Sequence, residues 1–285
     1  MKILPPLILM AIVIVSCQKE SSTEPPSNGG NGNNPPPNDS TLLWKYIETD
    51  PTLPAGSDTT LQVIYTYDNK KRLSSYHTNF YYGAEQTVDL FYSGNDTLPY
   101  KSTSISTSNG DVYRDTVFYS YLNGFVNKDS TVEYNGSTNQ LIEISAFEYT
   151  PDGNNTLFQY RHYSSPSTMS PDDELNFTLF KTYQGDNITM QEDTSSVVLF
   201  SWAHEQVSYD DKINPFYEVT PVNYSVLGPW LNAQKNNPVD DISWDTPSQP
   251  EHLIYTYTYR ADGRPLSVAV TGPADEWKGI FLYTK

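Results

Sequence analysis

Few residues in this chain are of types that do chemistry, and their spacing is loose. The single cysteine, Cys17, has no second thiol to pair with and no partner for a cysteine-based zinc site. Four histidines, His77, His162, His204 and His252, are scattered, and no His-Glu-x-x-His, Cys-x-x-Cys or Walker sequence occurs. There is no Gly-x-Ser-x-Gly nucleophile elbow. A glycosidase would need two carboxylates about 5–10 Å apart across a cleft. Asp172, Asp173 and Glu174 are instead consecutive in a Pro- and Ser-rich stretch and read as a solvated turn. Asp240, Asp241 and Asp245, beside Asn236 and Asn237, make an oxygen-rich segment of the kind that can hold Ca²⁺, although the spacing matches no EF-hand. Exposed carboxylates are the plainer reading. Trp230 and Trp244, with tyrosines near turns, could stack on sugar rings; packing within a sheet is the plainer reading. No cofactor is implied, no catalytic residue is assigned, and the chain is read as a non-enzyme, with an uncharacterised hydrolase as the alternative.

The surroundings of Cys17 give it a role. Lys2 supplies a positive start, and Ile3 to Val15 form an almost unbroken apolar run. That run is short of the roughly 20 residues of a membrane-spanning helix, but it suits the core of a secretory signal. It ends in Ile14-Val15-Ser16-Cys17, which resembles the bacterial lipobox. The resemblance implies cleavage after Ser16 and lipidation of Cys17. Several acyl chains, at about 0.8 kcal/mol per buried CH₂, make a stable anchor.

Residues 17–41 then read as a tether. Pro, Gly, Asn and Ser dominate, and they cannot bury enough surface to offset their ordering entropy. A coil of this length spans roughly 25 Å. Three regions follow: a signal peptide over 1–16, the lipidated cysteine and tether over 17–41, and a folded domain over 42–285. The whole chain carries −17; removing residues 1–16 removes Lys2 and no acid, leaving −18. Such a field excludes nucleic acid as a partner and repels anionic lipid heads. The expected partners are the membrane, through the anchor, and a glycan or an envelope protein.

The domain that the anchor carries must be β. It holds most of the 23 tyrosines and 11 phenylalanines, and no long stretch repeats apolar residues at helical spacing. An aromatic followed by a turn recurs at Tyr67, Tyr92, Tyr121, Tyr149, Tyr183, Tyr209 and Tyr259, in steps of 25, 29, 28, 34, 26 and 50 residues. A step near 27 fits two strands and two turns, and the Asn-Gly, Asp-Gly and Gly-Asn pairs suit tight hairpins. The prediction is an all-β antiparallel meander of about 14 or more strands in repeated hairpins, rolled or barrel-like. In Leu253–Tyr259 one face carries Leu and three tyrosines, and the other Ile and two threonines. The faces are too polar for a compact sandwich. A membrane-spanning barrel would need a continuous outward apolar band, which is not legible.

Two units resemble the YD repeat of RHS-type β-shell proteins: Tyr65–Leu73, with Lys71 where that repeat has glycine, and Tyr257–Leu266, with Arg260 where it has aspartate. The domain as a whole resembles Bacteroidota surface lipoproteins of unknown function with a porin-like β-meander. Tyr209, Asp210, Lys212, Asn214, Pro215 and Phe216, then Asn236 and Asn237, carry that likeness. Gln18-Lys19-Glu20 is similar to the start of such lipoproteins, where acids after the cysteine favour the cell surface. The resemblance implies an outer-membrane address, facing the surface or the periplasm, and no established activity. A long loop is expected over about 213–250, where long ordered loops are often functional.

Overall fold

The computed structural model describes residues 42–122, 125–152, 155–163, 173–184, 187–193, 204–219, 234–244, 250–273 and 276–284. Residues 1–41, which hold the expected signal peptide, Cys17 and the expected tether, lie outside the described residues.

Among the described residues, sixteen strands and one short helix follow in order. They are β1 (Leu43–Thr49), β2 (Thr59–Tyr67), β3 (Leu73–Phe80), β4 (Glu85–Tyr92), β5 (Pro99–Ser108), β6 (Asp111–Leu122), β7 (Phe125–Asn135) and β8 (Leu141–Asp152). Then come β9 (Asn155–Tyr163), β10 (Asp173–Gln184), β11 (Asn187–Asp193), β12 (His204–Ile213) and α1 (Pro215–Val219). The last are β13 (Asn236–Trp244), β14 (Glu251–Tyr259), β15 (Pro265–Thr271) and β16 (Glu276–Tyr283). Each strand pairs antiparallel with the next, as the repeat predicts, and β1 pairs with β16, so the meander closes into a barrel. Among the described strands, closure leaves no unpaired edge to template aggregation. Part of the expected 213–250 loop is strand: residues 236–244 form β13.

Alternation sorts the side chains. Tyr46, Val63, Tyr65, Tyr76, Val88 and Phe281 are buried on the inward face. The outward face of β3–β6 carries His77, Asp89, Lys101 and Arg114 among Phe91, Ile105 and Phe118, with no continuous apolar band. At the seam, Gly279 of β16 lies under the Tyr46 ring, and any Cβ there would sit 2.7 Å from Tyr46 Cε2 and Oη.

The recurring tyrosines have a defined job. Six of the seven, all but Tyr149, sit where the strand register breaks. Such bulges add twist and re-aim a side chain. At Tyr67, Tyr92 and Tyr121 the hydroxyl donates back to the first carbonyl of the preceding strand: Leu43 at 2.7 Å, Leu73 at 2.8 Å and Pro99 at 2.6 Å. Tyr283 does the same to Pro265 at 2.9 Å. Each bond contributes about 1 kcal/mol and ties the two strands of a hairpin to one barrel end.

The turns beyond these tyrosines share one design. Asp68 N donates to Arg72 O at 2.9 Å and Lys71 N to Asp68 O at 3.0 Å; Arg260 N to Arg264 O and Gly263 N to Arg260 O repeat the pattern at 2.8 and 3.0 Å. Lys71 (φ 65°) and Gly263 (φ 83°) occupy the same left-handed corner. In the first turn the Asp68 carboxylate also accepts from Lys70 N and Arg72 N at 2.9 Å and from Arg72 Nε at 2.7 Å. These turns, β1's start and β16's finish share one end of the barrel. The loops 50–58, 81–84, 109–110 and 136–140 lie at the other, distal end.

Candidate functional site

The Tyr209–Phe216 segment leads the chain from the wall into the barrel. Tyr209 stands between two register breaks of β12 against β13. Beside it, the Asp210 carboxylate accepts from Lys212 N at 2.9 Å, from Asn237 N at 3.2 Å and from Asn237 Nδ2 at 3.1 Å, and the Tyr259 hydroxyl donates to it as well. Burial, then the Asp210 carboxylate, raises the Tyr259 pKa. Asn236 donates to Lys212 O at 2.9 Å and exchanges two bonds with Asn187, at 2.9 and 3.1 Å. The Asp-x-Lys and Asn-Asn elements therefore stitch β12, β13 and β14 together.

Asn214, Pro215 and Phe216 then build α1. The Asn214 side chain caps it by accepting from Phe216 N at 2.9 Å, and proline, with φ preset and no N–H to lose, starts the turn. Phe216 lies edge-on to Tyr46 at 5.0 Å and to Phe281 at 5.6 Å. A cavity of about 20 Å³ remains between Asn214, Phe216, Tyr46, Tyr255, Tyr257 and Trp277, which is room for roughly one water. This part of the lumen is packed with aromatic rings rather than open.

Further along the same inward face, toward the distal end, the lining turns acidic. Register puts Glu205 of β12 opposite Ser243 of β13, and Ser243 opposite Glu251 of β14. Asp241 sits one row away, opposite Val207 and Leu253. Glu205, Asp241 and Ser243 are 8%, 4% and 3% exposed. Burial and then the Asp241 charge push Glu205 well above the usual carboxylate range. Burial, followed by Asp240, pushes Asp241 up to about 7, and Glu251 adds to the rise. Tyr209 is raised by burial, then by Glu205 and Asp241.

Asp240 and Asp241, read together as an oxygen-rich segment, leave β13 on opposite faces. Asp240 points outward and accepts from His252 at 3.1 Å, while Asp241 points inward. Asp245 and Trp230 lie outside the described residues, and Trp244 ends β13 opposite His204. Among the described residues no three His, Cys, Asp or Glu side chains converge as a metal cage. An exposed aromatic group that the sequence reading did not single out occupies the β3–β4 hairpin. There Phe80 stacks on Tyr82 at 5.4 Å and Tyr81 stands edge-on to Tyr82 at 5.3 Å. Tyr81 is 69% and Tyr82 42% exposed. The run Phe80-Tyr81-Tyr82-Gly83 was the available signal, since successive aromatics before a turn glycine cannot all face one core.

No family model matches the chain, and no curated protein matches it in sequence. Among solved structures it is similar to a porin-like protein from Bacteroides uniformis, with 11% identity, a TM-score of 0.43, and 86% of this chain and 98% of that one covered. A porin-like protein from Bacteroides vulgatus matches at 10% identity and a TM-score of 0.41, with 86% and 99% covered.

Proposed function

We propose that this chain is a non-catalytic lipoprotein of the bacterial outer membrane, held by acylated Cys17, with the barrel as a rigid body for binding or envelope contact. The observation that carries the reading is the position of the only cysteine, directly after a signal-like apolar run and before a Pro/Gly/Asn/Ser tether. The inward packing of Phe216 on Tyr46 supports a filled scaffold rather than a conduit. The polar outward face of β3–β6 supports a barrel that stands in water and needs a separate anchor. Fractionation of cells expressing wild type and Cys17→Ser tests it. The wild type should sediment with outer membranes and the variant should be released in soluble form. Equal membrane retention of both would overturn the reading.

A second reading, glycan capture, is favoured by the Phe80–Tyr82 cluster. It sits at the end of the barrel opposite the start of β1, and its turn is braced by Tyr81 N donating to Thr60 O at 3.0 Å. The field of the mature chain favours neutral sugars over anionic ones. Tyr81→Ala with Tyr82→Ala should abolish retention on a neutral-polysaccharide affinity gel. Unchanged retention, or none by the wild type, would remove this reading.

A further inference from the structure

We infer that the distal lumen holds a hard divalent cation of the Ca²⁺ class, bound by the Glu205 and Asp241 carboxylates and the Ser243 hydroxyl. The inference goes beyond the anchored-scaffold reading and does not depend on it. Three observations carry it. First, strand register brings Glu205 to one inward patch with Asp241 and Ser243, 36 and 38 residues later in the sequence, with Ser243 directly opposite Glu205 and Asp241 on the diagonal. Second, all three are more than nine-tenths buried, and Asp241 Oδ1 has no hydrogen-bond partner although it is sealed from solvent. Two carboxylates buried side by side need a positive species between them, because charge is costly to bury unpaired. Third, among the side chains described around the patch none is cationic: Tyr209 is a phenol raised by burial, and Glu251 on β14 is a third acid. His252 lies on the outward face with Asp240.

Carboxylate and hydroxyl oxygens, without nitrogen or sulfur, select a hard ion. Two carboxylates and one hydroxyl fall short of the 6–8 oxygens Ca²⁺ takes, so water would complete the sphere. Burial, the largest cause, raises both carboxyls, and the Asp241 charge adds to the rise at Glu205.

Calorimetric titration of the EDTA-stripped mature chain in detergent with CaCl₂, paired with thermal melts, tests the site. Saturable binding with one ion per chain is expected, with a rise in Tm. Glu205→Gln and Asp241→Asn should each weaken binding at least tenfold, and Asp240→Asn should leave it unchanged. The double variant Glu205→Gln/Asp241→Asn should melt above the wild type in EDTA, because the repulsion is gone, and should not respond to Ca²⁺. Absence of saturable binding by the wild type would overturn the proposal and leave a pair that shares a proton. Loss of binding in Asp240→Asn equal to that in Asp241→Asn would overturn it too. Repeating the titration on Cys17→Ser separates failure of this site from failure of the anchor.

Discussion

Gly263→Ala isolates the backbone term that shapes the hairpin turns. Gly263 holds φ at 83°, and an added Cβ would meet nothing closer than Lys212 Cδ at 3.6 Å, an ordinary contact. No clash contributes, so the cost is the left-handed backbone alone, about 1–2 kcal/mol for a residue with a Cβ. The unfolded chain becomes less flexible with alanine, which returns about 0.4–1 kcal/mol. The net loss is about 1 kcal/mol, or roughly 2–4 °C in Tm for a domain of this size. Urea unfolding followed by tyrosine and tryptophan fluorescence reads the change as a lower midpoint at constant slope. Gly263→Asn should recover part of the loss, since asparagine tolerates this region. Lys71, at φ 65° in the matching turn, provides the mirror experiment: Lys71→Gly should raise the midpoint. An unchanged midpoint in Gly263→Ala, together with a lowered one in Lys71→Gly, would refute the view that both turns share one strained corner.

Gly279→Ala should destabilise the β1–β16 seam by about 1–3 kcal/mol, because its Cβ would press within 2.7 Å of the Tyr46 ring and 2.8 Å of Val268 Cγ1; differential scanning calorimetry measures it. In EDTA, stability should fall as pH rises from about 4 to 7. Asp241 binds its proton more tightly folded, at about 7, than unfolded near 3.8, so the folded state loses up to about 4 kcal/mol across that window. Urea midpoints against pH should show this downward slope in wild type and a shallower one in Asp241→Asn.

Strands were the most legible part of this molecule. Leu253, Tyr255, Tyr257 and Tyr259 alternate with Ile254, Thr256 and Thr258, and the first set does face inward. The recurring tyrosines were legible as a rhythm, but their bonds to Leu43, Leu73 and Pro99 were not, because each partner lies about twenty residues back and is a main-chain oxygen. Closure was illegible for the same kind of reason. It pairs Ile47 with Ile280, at opposite ends of the domain, and neither residue differs in type from its neighbours. The Asn-Pro-Phe motif was visible, yet its meaning depended on where Phe216 lands, among Tyr46 and Phe281 from the seam strands. Asp240 and Asp241 misled because adjacency in a strand separates side chains rather than gathering them. Glu205, inward at period 2 with Val207 and Tyr209, was the better clue to buried acid.

The most direct test of the account is mass spectrometry of the N-terminal peptide of the mature chain, purified from membranes. The account predicts that Cys17 is the first residue and carries covalently bound acyl chains. A mature chain that begins elsewhere, or one with an unmodified Cys17 thiol, would contradict it.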